Sequence, residues 1–195
     1  MRAHEAFEQM VSRHVWPWLK EQGFKRSKAT FHRPVEENWE VINLQRSQWS
    51  SRREVSFTVN LEVALGCLRG DRWGVGKRPP AYRCHFHERL GVLLTGSDTW
   101  WTLSPDTNIN ELADSLVLAL EAYGLPWLEA RSSEERLQQM AGGDLSHLYD
   151  YELGFLAQAM DQLGDNAART RVEAELERRL REGSSEVPSH DAHSS

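Results

Sequence analysis

The feature that most constrains the fold is the alternation of apolar and polar side chains over residues 55–65. Val, Phe, Val, Leu, Val and Leu stand at every second position, with Ser, Thr, Asn, Glu and Ala between them. Because successive side chains of a strand point to opposite faces of a sheet, this period predicts a strand with one buried and one polar face. Such a strand favours an antiparallel sheet that is covered by helices on one side only.

Residues 7–19 provide the cover for the apolar face. Apolar side chains recur there at steps of three and one, which predicts a helix over residues 3–22 with a single apolar stripe. Pro17 removes one backbone hydrogen bond from this helix, so we expect a kink near residues 13–16. Gly23 tolerates the left-handed conformation that ends a helix, and a basic strand follows it.

The same two periods predict the remaining elements of the sheet domain. Further strands are expected at residues 28–33, where Pro34 ends the strand, and at 39–47, 82–94 and 99–103. The apolar spacing of residues 109–123 predicts a helix, which Gly124 and Pro126 end. Residues 66–82 are rich in Gly and Pro and are expected to form a long surface loop.

The C-terminal third of the chain is helical in pattern. Ser132 and Glu135 have the spacing of a capping box, and a helical hairpin follows that turns at residues 164–166. We therefore predict an α+β protein with an antiparallel sheet of about five strands, helices on one face and a helical C-terminal extension. The expected divisions are a core domain at 1–128, the extension at 129–182 and a disordered tail at 183–195.

The net charge of −6 conceals an uneven distribution along the 195 residues. Residues 1–105 carry 16 Lys and Arg against 11 Asp and Glu, whereas residues 106–195 carry 7 against 18. One interpretation is two solvated surfaces that attract each other within one fold; the other is a basic sheet face that receives an anionic partner. The acidic half would repel phosphates, which argues against duplex nucleic acid as the partner.

Composition also narrows the cellular setting. No apolar run approaches the roughly 20 residues that span a bilayer, so no membrane association is expected. The first residues lack the apolar stretch of a signal peptide, and we therefore expect a cytoplasmic protein in which Cys67 and Cys84 are reduced.

Candidate catalytic and metal-binding residues are few. Cys84, His85 and His87 lie close together, but a strand places only the two histidines on one face, and a zinc site needs more ligands that converge on one point. Near residue 40, the carboxylates Glu36, Glu37 and Glu40 have no neighbouring histidine, so we interpret them as solvated. The sequence has no Gly-x-Ser-x-Gly nucleophile motif, and we expect no catalytic residue, no metal site and no cofactor.

Arg and Trp side chains offer the best candidate for a binding surface, because these residue types combine contact area with directional hydrogen bonds. Adjacent residues of a strand face opposite ways, so one of Trp100 and Trp101 is expected to be exposed. The predicted binding patch contains residues on strands and on the loop between them: Arg46, Trp49, Arg53, His85, His87, Arg89, Trp100 and Trp101.

Several short motifs follow one another in a specific order: Leu19-Lys20, Gly23-Phe24-Lys25, Phe31 with Arg33, Asn43-Leu44-Gln45, Phe57 with Val59-Asn60-Leu61, Cys84-His85 with Glu88-Arg89-Leu90, and Trp101. In order and spacing, residues 5–128 resemble the bacterial family of domains of unknown function numbered 4304. The resemblance implies an α+β fold that is similar to small bacterial immunity-type proteins. It implies no reaction and no catalytic residue.

These observations favour a non-enzymatic, cytoplasmic protein-binding domain of the immunity or accessory type. A basic protein is the expected partner, because the acidic half would speed its encounter. Two alternatives stay open. One is a metal-dependent hydrolase or nuclease built on His85, His87 and Arg89, and the other is a small-ligand binder that uses the sheet face and the 66–82 loop.

Overall fold

The computed structural model describes residues 3–51, 53–70, 77, 79 and 83–184. The chain forms two compact units, Met1–Arg136 and Leu137–Ser195, whereas the sequence placed the boundary after residue 128. Most of the predicted 66–82 loop and nearly all of the predicted tail lie outside the described residues.

The described residues of the first unit form one antiparallel sheet of six strands. The order is β1-β2-β3-β4-β5, and β6 pairs with the same edge of β4 as β5 does but nearer to the start of that strand. The strands are β1 Lys25–Ser27, β2 Thr30–Val35, β3 Asn38–Arg46, β4 Val55–Ala64, β5 Phe86–Arg89 and β6 Trp101–Leu103. The predicted α+β class is therefore confirmed.

The first helix is interrupted at the place where a kink was expected. Helix α1 spans Ala3–Met10, a π-helical turn spans Val11–Val15, and α2 spans Trp16–Glu21. Pro17 has no N–H to donate, and its ring crowds the carbonyl four residues earlier. The wider π-helical turn relieves this conflict while the chain stays helical.

The same solution recurs later in the chain and corrects a predicted helix end. Helix α4 spans Ile109–Ala119, a second π-helical turn spans Leu120–Gly124, and α5 spans Leu125–Glu129. Pro126 therefore follows a π-helical turn directly, as Pro17 does, and the chain continues as a helix beyond it.

Two predicted strands need correction. The strand at 28–33 does not end at Pro34, because β2 continues to Val35; β1 pairs only with Thr30 to His32, so the missing N–H of Pro34 faces no neighbouring strand. The strand predicted at 82–94 is shorter, since β5 is followed at once by the helix α3, Leu90–Thr95. This helix ends at Gly96, whose φ of 75° is left-handed.

The helices of the first unit pack on the face of the sheet that carries the apolar side chains of β4. Phe7 of α1 meets Phe57 edge-on at 5.2 Å, and Trp16 stacks on Phe31 at 6.0 Å. We call this the helix-covered face and the opposite side the open face. The open face was expected to be polar throughout β4, but Thr58 and Glu62 are buried there.

The second unit contains the predicted helical hairpin, α7 Asp150–Gln162 and α8 Asn166–Ser184, joined through Gly164 at a φ of 74°. A further helix, α6 at Glu134–Gly142, crosses the boundary between the units. Its predicted capping residue was one position off, because the hydroxyl of Ser133 rather than Ser132 accepts the hydrogen bond from the Arg136 N–H.

Candidate binding groove

Polar side chains on the open face are joined in a chain of hydrogen bonds across β2, β3 and β4. The register places Asn43 opposite both Thr30 and Asn60. The Asn43 amide donates to the Thr30 hydroxyl at 2.8 Å, and the Asn60 amide donates to Gln45 Oε1 at 2.8 Å. These bonds hold the side chains in fixed positions, so this surface is ordered before any ligand arrives.

A groove of about 430 Å³ lies at one end of the sheet, beside the β3–β4 loop. Its walls contain two tryptophans, Trp49 from the loop and Trp100 from the segment before β6. Trp49 is 87% exposed and Trp100 is 38% exposed. The groove is lined by Gln45, Arg46, Ser47, Gln48, Trp49 and Trp100.

Trp100 is held in place by its neighbours. Its indole N–H donates to Asp98 at 3.2 Å, and the guanidinium of Arg89 lies 5.6 Å from its ring centroid. Arg89 also forms an ion pair with Asp98, so the three side chains form a closed set of contacts. This wall of the groove is therefore rigid, whereas the Trp49 side projects from a loop.

Two arginines give this end of the sheet a positive charge; Arg46 pairs with Phe57 of β4 and therefore lies at the end of the helix-covered face. Arg46 lies 5.4 Å from the ring centroid of Phe7 and 3.2 Å from His4 Nδ1, and Arg53 lies exposed in the β3–β4 loop. Among the residues that the structure describes, no carboxylate lies within ion-pair distance of either guanidinium.

The structure separates the predicted patch into two groups. Arg46, Trp49 and Trp100 line the groove, Arg89 supports it, and Arg53 belongs to the same loop. The other three residues, which are not among its lining residues, are His85, His87 and Trp101.

The residues outside the groove have structural contacts. His85 was expected on the exposed patch, but it is buried and its Nδ1 accepts a hydrogen bond from the Leu65 N–H at 2.9 Å. Nε2 of His87 lies 2.7 Å from the carbonyl oxygen of Cys84. Trp101 stacks on Phe57 at 5.9 Å and so lies against the helix-covered face. Trp100 is the more exposed of the tryptophan pair.

Glu62 is a buried carboxylate on the open face that was not predicted from the sequence. Glu62 pairs with His87 across β4 and β5 and is only 7% exposed. Burial raises its pKa, while the nearby His87 and a hydrogen bond with Cys84 act in the opposite direction. Its Oε2 has no hydrogen-bond partner within the described part of the chain. The alternation of β4 places Glu62 on the polar face, but it gives no sign that the side chain is buried there.

Glu40 contradicts the expectation that the carboxylates near residue 40 are solvated. It is fully buried on the helix-covered face, where Arg33 Nε donates to Oε2 at 2.6 Å and the Ser132 hydroxyl donates to Oε1 at 2.7 Å. Arg33 also donates to the Gln22 carbonyl at 2.8 Å. Glu40 thus connects β3 to β2 and to the segment after α5, and its role is structural.

Within the described ranges, no group of three or more His, Cys, Asp or Glu side chains could hold a metal ion. None of the described helices has the length and apolar composition needed to cross a membrane.

An open antiparallel sheet with helices on one face and a groove at one end defines an α+β domain of the kind that the short motifs indicate. Residues 14–130 match the family model described as a domain of unknown function, DUF4304, and the chain belongs to this family. No curated protein and no solved structure shows significant similarity to the chain.

Proposed function

We propose that this chain is a non-enzymatic protein-binding domain of the cytoplasm, of the immunity or accessory type, and that its partner docks on the groove between Trp49 and Trp100. The observation that carries the proposal is the exposure of Trp49, of which 87% is in contact with solvent at the rim of a groove. Tryptophan and arginine are enriched among the residues that contribute most to protein–protein affinity. Both types line this groove.

Photocrosslinking tests this proposal. A photoreactive amino acid at position 49 should capture a discrete partner in the cells in which the chain occurs, and the same group at position 118 is the matched control. Leu118 is a large apolar residue that is 62% exposed on α4, and it does not line the groove. Trp100→Ala should reduce capture at position 49 by about 10-fold or more, as loss of a hot-spot side chain does.

The outcome that contradicts the proposal is equal capture from positions 49 and 118, or no capture from position 49. The sequence also favoured a basic partner attracted by the acidic half of the chain. That hypothesis predicts a partner whose capture depends on the acidic helices of residues 129–195 and weakens steeply with salt. Capture that survives removal of that charge supports docking on the groove instead.

A small ligand is the second candidate, because the groove volume of about 430 Å³ is within the range of small-molecule sites. A thermal-shift screen of metabolites against the full chain and against Trp100→Ala tests it. A ligand that stabilises the former and not the latter would favour this function. The hydrolase hypothesis, which uses His85, His87 and Arg89, stays a prediction; Arg89 is engaged by Asp98, and the Nδ1 of His85 by the Leu65 N–H.

A further inference from the structure

We infer that the groove takes an acidic segment of its partner, with a large apolar or aromatic side chain between Trp49 and Trp100 and with carboxylates on Arg46 and Arg53. This inference rests on the proposed protein-binding function, since it names the chemistry of what binds there. It follows from the charges at the rim of the groove, the aromatic walls and the free donor on its floor.

The charge at the rim is not compensated within the described residues. Several other arginines of the chain have a carboxylate within 4 Å: Arg26, Arg33, Arg89, Arg169, Arg178 and Arg179. Arg46, which lines the groove, and Arg53, which is exposed in the adjoining β3–β4 loop, have none among the described residues. An arginine fork matches the two oxygens of a carboxylate, so acidic side chains are the complementary groups at this rim.

The aromatic walls and the floor supply the rest of the site. Trp100 is fixed by Asp98 and Arg89, so one wall is ready to accept a flat or bulky apolar side chain. On the floor, Gln45 Oε1 already accepts from Asn60, which fixes the amide and leaves its NH₂ group to donate. Within the described chain this NH₂ has no acceptor, and a carbonyl of a bound peptide would provide one.

A carboxylate ligand suits these charges better than a nucleic acid does. Nucleic-acid affinity comes largely from several phosphates neutralised at once. The groove and the β3–β4 loop beside it present only Arg46 and Arg53 as arginines without carboxylate partners among the described residues. The chain also carries a net charge of −6, which opposes a long polyanion more than a short acidic segment.

Fluorescence anisotropy of labelled seven-residue peptides on the full chain tests the inference. The probe has a central Trp flanked on each side by two Glu and a terminal Gly. Its matched controls carry Lys in place of Glu, or Gly in place of Trp, and a labelled ten-nucleotide oligothymidine represents nucleic acid. The acidic Trp peptide should bind about 10-fold or more tightly than each control peptide, since both charge and aromatic contact contribute.

Variants locate the binding. Arg46→Gln and Arg53→Gln should each weaken the acidic Trp peptide by about 3- to 10-fold, and Trp49→Ala by about 10-fold. Lys20→Gln removes the same charge from an exposed site on α2 and should leave the affinity unchanged. Melting temperatures close to that of the parent chain would show that these exposed substitutions leave the fold intact.

Equal affinity for the Glu and Lys peptides, or no binding of either at 1 mM peptide (about −4 kcal/mol of binding free energy), would overturn the acidic inference. The inference would also be overturned if the oligothymidine bound more tightly than the acidic Trp peptide and the same arginine variants abolished that binding. The surface would then bind nucleic acid. Crosslinking from position 49 is independent of peptide charge. It therefore still decides whether the groove binds a protein when the acidic inference fails.

Discussion

Two buried glutamates on neighbouring strands show how differently the two faces of the sheet are built. Glu40 on β3 faces the helices, and both its carboxylate oxygens accept hydrogen bonds, from Arg33 and Ser132. Glu62 on β4 faces the other way, and one of its oxygens has no hydrogen-bond partner in the described part of the chain. The Glu40 carboxylate is thus fully hydrogen-bonded, whereas the Glu62 carboxylate keeps one oxygen without a hydrogen bond among the described residues.

This contrast suggests that different parts of the molecule serve stability and recognition: the helix-covered face stabilises the fold, and the groove binds a partner. A buried charge is costly unless it is paired and hydrogen-bonded, so the contacts of Glu40 are what a structural carboxylate requires. The groove with its exposed Trp49 lies outside this core, at the end of the sheet beside the β3–β4 loop. We therefore expect substitutions on the helix-covered face to act on folding, and those at the groove to act on binding.

The largest effect is expected from Phe57→Ala in the middle of the helix-covered face. Phe57 is fully buried between Phe7 and Trp101, so its removal leaves a cavity and should lower the free energy of unfolding by about 3–5 kcal/mol. Chemical denaturation followed by circular dichroism measures the loss. An unchanged denaturation midpoint would mean that this face is not the core.

Glu40→Ala should follow, with a loss of about 2–4 kcal/mol, because Arg33 and the Ser132 hydroxyl both lose their acceptor in a buried position. A double-mutant cycle that combines Glu40→Ala with Arg33→Ala separates the contribution of the ion pair from that of the other contacts of Glu40, such as the one with Ser132. The two losses should be less than additive, with a coupling of about 1 kcal/mol or more. Fully additive losses would show that the pair does not act as a unit.

The sequence predicted the elements that local periodicity specifies and missed those that depend on distant partners. The alternation of β4 and the apolar stripe of residues 7–19 predicted the sheet, the first helix and the face between them. The burial of Glu40 needs the pairing of β2 with β3 and a hydroxyl 92 residues away, which no local pattern contains.

The helix ends show a second limit. Pro126 was expected to end a helix, because proline removes a hydrogen bond and crowds the turn before it. A π-helical turn absorbs that conflict here, as another does before Pro17, and the spacing of apolar residues does not distinguish a π-helical turn from a helix end. In the same way, residue type predicted five members of the groove and its surroundings, but not the burial of His85.

Glu62→Gln should have a smaller effect than Glu40→Ala, and its sign should depend on pH. Burial raises the folded-state pKa of Glu62 above the unfolded value of 4.5, so the folded protein binds the proton more tightly. The parent chain therefore loses stability as the pH rises through 4.5 towards the folded-state pKa, and Glu62→Gln removes this loss.

The measurement is denaturation of both chains at pH 4 and at pH 7. Relative to the parent, Glu62→Gln should be more stable at pH 7 than at pH 4, whereas Glu40→Gln should be less stable than the parent at pH 7. An ion pair of Glu62 with His87 that outweighs desolvation would reverse the first result. Glu62 would then be a structural carboxylate like Glu40, and the contrast between the two faces would weaken.

The smallest effect on folding is expected from Trp49→Ala, and it is the sharpest test of the groove. With 87% of its surface in solvent, Trp49 buries little on folding, so the free energy of unfolding should change by less than about 0.5 kcal/mol. The same substitution should weaken the acidic Trp peptide by about 10-fold, which is about 1.4 kcal/mol of binding free energy. Stability that falls as much as binding would make Trp49 a support of the β3–β4 loop rather than a contact for a partner. Unchanged stability together with weakened peptide binding would identify Trp49 as a residue that contacts the partner and does not support the fold.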